Sequence, residues 1–86
     1  AAYPCSGEIN RTIAHPAAVL SKVEETYSEQ AQSVDHVDGL SMSMGNWRFN
    51  LRMSNTEPVV RLNVESRGDP SLVNAKTTEL LALIDA

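Results

Sequence analysis

Residues 40–66 read LSMSMGNWRFNLRMSNTEPVVRLNVES, and the order of apolar and polar side chains in this stretch decides the fold. Residues 40–44 alternate strictly, and Gly45-Asn46 then punctuates the run as a tight hairpin turn does. Alternation returns over 47–53. Trp47, Phe49, Leu51 and Met53 share one face, and Arg48, Asn50 and Arg52 share the other. A loop from Ser54 to Pro58 interrupts the pattern, after which Val60, Leu62 and Val64 oppose Arg61, Asn63 and Glu65. Three consecutive strands, each with one apolar and one polar face, predict an antiparallel meander covered on one side only.

Working outward, residues 7–13, GEINRTI, alternate loosely with Ile9 and Ile13 on one face, which predicts a first strand. Pro16 suits the first turn of a helix. Val19, Leu20, Val23, Tyr27 and Ala31 follow at helical spacing, with Glu24, Glu25 and Glu29 outside the stripe, so residues 16–32 read as an amphipathic helix. SVDHVDG, residues 33–39, ends in Asp-Gly and reads as a turn. On the far side, Asp69 is a candidate N-cap and Pro70 fits the first helical position. Leu72, Val73, Leu80, Leu83 and Ile84 form the stripe of a last helix, about 70–85. The expected order is β-α-β-β-β-α: a two-layer α+β domain with a four-stranded, mainly antiparallel sheet and two helices on one face.

Composition narrows the function. The chain has 86 residues, enough for one small domain. A net charge of −4 weighs against nucleic-acid binding, where a basic patch is expected. One Trp, two Tyr and one Phe make a poor base-stacking platform. Cys5 is the single cysteine, so no internal disulfide forms and nothing points to an oxidising compartment. The longest purely apolar run, Leu80–Ile84, is far short of the ~20 residues of a membrane span. No basic stretch precedes an apolar run, and no signal peptide is expected. The chain begins without methionine, as a processed protein or a piece of a longer one would.

The loop between the last two strands carries the chemistry. Ser54 and Thr56 offer hydroxyl donors. Successive turn N–H groups can converge on an anion, and Asn55 is one of the few non-glycine residues that tolerates the positive φ such a nest often needs. Arg52 and Arg61 flank the loop, and a guanidinium can grip a phosphate through two parallel hydrogen bonds. Glu57 opposes an anion unless it turns away, either to brace the loop or to pair with an arginine.

The stretch RMSNTEPVVRLNVES, residues 52–66, resembles the phosphate-binding loop of the α-D-phosphohexomutases. Their motif reads Arg-x-Ser-(Gly/Asn)-Thr-(Glu/Thr)-Pro, often with an arginine three residues after the proline. The flanks GEINRTIAHP and DGLSMSMGNWRFNLR are similar to the bacterial phosphomannomutase branch, and the likeness covers essentially the whole chain. It implies the fourth, C-terminal domain of a four-domain enzyme, with a TATA-binding-protein-like fold. It implies that Arg52, Ser54, Asn55 and Thr56 hold the sugar phosphate that is not being transferred. Arg61 matches an arginine that touches this phosphate in some branches, and Glu57 supports the loop.

The resemblance further implies a cytoplasmic isomerase that exchanges mannose 6-phosphate and mannose 1-phosphate through a phosphoserine and a hexose 1,6-bisphosphate, on the route to GDP-mannose. Mannose or glucose phosphates and the enzyme's other domains would be its partners, with no nucleic acid or membrane. Magnesium would be bound outside this domain. No phosphoserine segment, Asp-rich magnesium loop or sugar-reading loop occurs here, so the chain alone is expected not to be catalytic. A reading from a different class is a free-standing module that binds protein or RNA through an open sheet face.

Other reactive side chains have plainer readings. Asp35, His36 and Asp38 could recruit a divalent cation, but three candidate ligands are few and the same residues suit a polar turn. His15 precedes Pro16 at a helix entry, and Cys5 lacks a neighbouring His pattern to activate it. Trp47 shares a face with Phe49 and Leu51 and reads as core. Arg11 and Arg48 read as solvated charges.

Overall fold

The computed structural model describes residues 4–86. The elements in chain order are β1 (Ile9–Thr12), α1 (Pro16–Tyr27), β2 (Ser33–Asp35), β3 (Leu40–Ser43), β4 (Trp47–Met53), β5 (Val59–Ser66) and α2 (Pro70–Asp85). The strands form one antiparallel sheet in the order β1-β5-β4-β3-β2. Both helices pack on the same face, α1 against β3 and β4, α2 against β5, and each against the other.

The α+β class, the meander of β3 to β5 and both helices match the sequence reading, with one strand more than expected. The addition is β2, a three-residue edge strand with all its residues exposed. Val34 is its only apolar residue, so it carries no alternation to detect. It exists through its ladder to β3, where Ser33, Val34 and Asp35 face Ser43, Met42 and Ser41. That ladder also shortens α1, which ends at Tyr27 rather than at residue 32. Ser28 turns its hydroxyl back to the Glu25 carbonyl, as such side chains do where they compete with helix bonding. By Gln32 the backbone N–H already donates to the Ser43 carbonyl.

The core lies between the sheet and the helices. Leu40, Met42, Trp47, Phe49, Leu51, Val60, Leu62 and Val64 project from the strands towards Val23 and Tyr27 of α1 and Val73, Leu80 and Ile84 of α2. The alternation of β4 holds to its last residue, where Met53 emerges into solvent. Tyr27, Trp47 and Phe49 form an aromatic cluster, with Tyr27 edge-on to Trp47 at 5.6 Å. The Tyr27 hydroxyl donates to Glu79 Oε1 at 2.5 Å and ties the two helices together. Burial, aided by that carboxylate, pushes the hydroxyl well above its usual pKa.

Two turns set the strand ends. At Gly45-Asn46, Gly45 has φ +95° and Asn46 stays at negative φ, the arrangement in which a type II′ hairpin turn places its glycine. The N–H of Met44 donates to the Trp47 carbonyl across it at 2.9 Å. Ahead of α2, Asp69 is the N-cap, with Oδ1 accepting from Ser71 N and Leu72 N, and Pro70 follows it.

Candidate functional site

The uncovered face of the sheet is polar, and its cross-strand pairs differ in character. Arg48 of β4 lies opposite Glu65 of β5 and forms an ion pair with it. Two steps along, Asn50 faces Asn63, and at the next polar position Arg52 faces Arg61. Like charges placed directly opposite destabilise a strand pair. Beyond Arg61, the same row continues to Asn10 of β1.

The surroundings of the two arginines are unequal. Arg52 Nη1 lies 3.5 Å from Asp38 Oδ2, and Nη2 lies 3.8 Å from Glu8 Oε1. Arg61 forms no ion pair among the described residues. Both arginines line an open cleft of about 500 Å³ at the end of the sheet, together with Asp38, Gly39, Ser54 and Asn55.

The β4–β5 loop is organised by Ser54. Its N–H donates to the Val59 carbonyl at 2.9 Å and closes the hairpin. Its Oγ accepts from the N–H groups of Thr56 and Glu57, each at 3.3 Å, and lies 3.5 Å from Thr56 Oγ1. The nest expected at Asn55 takes a different form, because no non-glycine residue among those described has a positive φ. A side chain gathers the loop N–H groups in place of a left-handed backbone turn. Glu57 braces the loop through its backbone, its carbonyl accepting from Val59 N at 2.8 Å. Its carboxylate pairs with neither arginine.

Of the residues singled out in the sequence, Arg52, Ser54, Asn55 and Arg61 therefore share one cleft, whereas Thr56 and Glu57 do not line it. His36 meets a carboxylate outside its own turn, with Nε2 3.0 Å from Glu24 Oε1. Arg11 reaches Asp85 at 3.4 Å, and Cys5 is exposed.

A family model described as "Phosphoglucomutase/phosphomannomutase, C-terminal domain" matches residues 8–83. The chain belongs to this family. A phosphomannomutase of Salmonella typhimurium strain LT2 is 64% identical over 85 residues, which are 99% of this chain and 19% of the relative. A phosphomannomutase of Escherichia coli K12 is 56% identical over 85 residues, again 99% and 19%. A protein of Xanthomonas campestris named for phosphohexose mutases is 48% identical over 82 residues, 95% and 18%. The chain spans about a fifth of the length of these relatives.

In this phosphoglucomutase/phosphomannomutase C-terminal domain, the sequence reading passed over three residues beside the cleft. Asp38 reads as a turn former and as one of three candidate metal ligands, Gly39 only as a turn former, and Asn50 only as part of a polar face. Yet Asn50 Nδ2 donates to the Asp38 carbonyl at 2.9 Å and to Ser41 Oγ at 2.8 Å. The Asp-Gly pair was visible, but its place beside Arg52 depends on the β3–β4 register, which is a long-range property.

Proposed function

We propose that this chain is the phosphate clamp of a phosphohexomutase, a single C-terminal domain of a longer cytoplasmic enzyme that interconverts mannose 6-phosphate and mannose 1-phosphate. The observation that carries this reading is the register pairing of Arg52 with Arg61 on an open sheet end. A phosphate between two opposed guanidiniums converts their repulsion into charge-assisted contacts on both. Ser54 and Asn55 add neutral polar groups in the same cleft. Thr56, whose exposed hydroxyl lies 3.5 Å from Ser54 Oγ, is a further donor for the phosphate, and Glu57 supports the loop.

In the parent enzyme, a phosphoserine in another domain gives its phosphoryl group to one end of the hexose phosphate. The clamp holds the other end. The resulting bisphosphate then turns over and returns its second phosphoryl group. A site that recognises phosphate rather than sugar suits this sequence, because each end of the substrate occupies it in turn. Fixing the far phosphate also orients the near one for in-line transfer, where positioning supplies much of the rate. The polar groups lining the cleft are two guanidiniums, a hydroxyl, an amide and the Asp38 carboxylate that faces Arg52, with Leu20, Val37 and Met53 completing the wall. One carboxylate beside two arginines suits an anion better than a divalent cation. Magnesium would be held in another domain of the parent, as the family resemblance implies, and would support the transfer step there.

Amide NMR of the chain titrated with mannose 1-phosphate tests the proposal. Shifts confined to residues 38–39 and 52–61, at millimolar or weaker affinity (about −4 kcal/mol), are expected of one isolated part of a divided site. Absent shifts at those residues, or shifts spread over Ser41, Asn50 and Asn63 instead, would contradict it.

A further inference from the structure

The β3–β4 ladder pairs Leu40 with Leu51, so one step further Gly39 falls opposite Arg52. The row across the sheet end is thus Asn10, Arg61, Arg52, Gly39. A Cβ on Gly39 would lie 2.7 Å from Arg52 Cγ, 2.8 Å from the Leu51 carbonyl oxygen and 3.0 Å from Arg52 Cα. Gly39 also has φ +74°, a conformation that favours glycine. The turn backbone therefore rests directly on the aliphatic stem of Arg52, in space that no other residue type leaves open.

The same turn reaches the guanidinium through Asp38, whose Oδ2 accepts from Arg52 Nη1 at 3.5 Å. The turn is itself fixed on both sides. Asp35 Oδ1 accepts from Val37 N at 2.7 Å, and Asn50 Nδ2 donates to the Asp38 carbonyl. We propose that the Asp38–Gly39 turn is a positioning element for Arg52, with Gly39 confining the stem and Asp38 setting the guanidinium plane before phosphate arrives. This inference rests on the clamp reading of Arg52. Pre-setting matters because the value of a planar fork lies in its orientation. The Asp38 side chain is 74% exposed, so its ion pair adds little to stability, and its loss is felt at the ligand and not in the fold.

The test is a double-mutant cycle in the full-length protein that carries this chain, with mannose 1-phosphate as substrate and Asp38→Asn, Arg52→Ala and the double variant compared. Asp38→Asn is expected to lower kcat/KM roughly three- to thirtyfold with an unchanged melting temperature, and to have no further effect once Arg52 is alanine. Gly39→Ala should give at least the same loss, and Asp38→Asn decides the matter if that variant does not fold. Unchanged or increased kcat/KM in Asp38→Asn overturns the positioning role, as does an equal loss in the Arg52→Ala background. If Arg52→Ala itself retains wild-type kcat/KM, the clamp reading falls first and this inference with it.

Discussion

Arg52 and Arg61 are direct cross-strand partners on β4 and β5, while two polar steps away Arg48 is partnered by Glu65. One sheet face thus contains a pair neutralised across the ladder and a like-charged pair bordering the cleft, in which Arg52 is met by Asp38 and Glu8 from outside the ladder and Arg61 has no ion-pair partner among the described residues. On the clamp reading, a bound phosphate supplies the counter-charge that Arg61 lacks.

Arg61→Gln should separate stability from binding. Removing one of two opposed charges is expected to stabilise the chain by about 0.2–1 kcal/mol, read as a higher urea midpoint. Added phosphate should raise the midpoint of the wild type by mass action and have little effect on the variant. A variant that is both less stable and equally responsive to phosphate would mean that Arg61 serves only the sheet.

Core and loop should respond differently to truncation. Trp47 is 4% exposed and packs against Tyr27 and Phe49, so Trp47→Ala should cost about 3–5 kcal/mol. Ser54→Ala removes one acceptor of two loop N–H groups that water can reach, and should cost about 0.5–1.5 kcal/mol. Denaturant unfolding of the two variants checks the order, and a reversal would move the core to the wrong side of the sheet.

The N-cap of α2 predicts a pH dependence. The Ser71 hydroxyl, followed by the Leu72 and Ser71 N–H groups, holds the Asp69 carboxyl below its usual pKa. A depressed folded value means that the stabilising effect is fully present above the unfolded carboxylate pKa of ~3.9 and is lost as pH falls through the folded value. Asp69→Ala should therefore melt below the wild type at pH 7, and the gap should narrow as pH drops below about 4. A gap that does not change with pH would show that the cap acts without its charge.

What could be read from the sequence was whatever repeats over several residues. The alternation of 47–53 and 60–65 located β4, β5 and their buried face, and Asp69-Pro70 located the start of α2. Position β2 is different: three exposed residues with one valine are made a strand by Ser41–Ser43 beside them. The end of α1 was hidden for the same reason, since Ala31 kept the helical spacing while Gln32 bonded to β3. At the site, the residue types were legible and the geometry was not. Asn55 suggested a left-handed turn, yet Ser54 Oγ gathers the loop N–H groups instead. Gly39 lies thirteen positions before Arg52, and only the strand register brings the two together.

The most direct test of the clamp is steady-state kinetics of Arg52→Ala in the full-length protein, run in both directions between mannose 1-phosphate and mannose 6-phosphate, with released hexose bisphosphate counted. A lost charge-assisted contact of about 1.5–3 kcal/mol predicts roughly a ten- to hundredfold fall in kcat/KM in both directions. More bisphosphate should escape per turnover, and Arg52→Lys should recover only part of the loss, because an ammonium lacks the planar fork. Wild-type kcat/KM in both directions would contradict the account and leave the β4–β5 hairpin as scaffold.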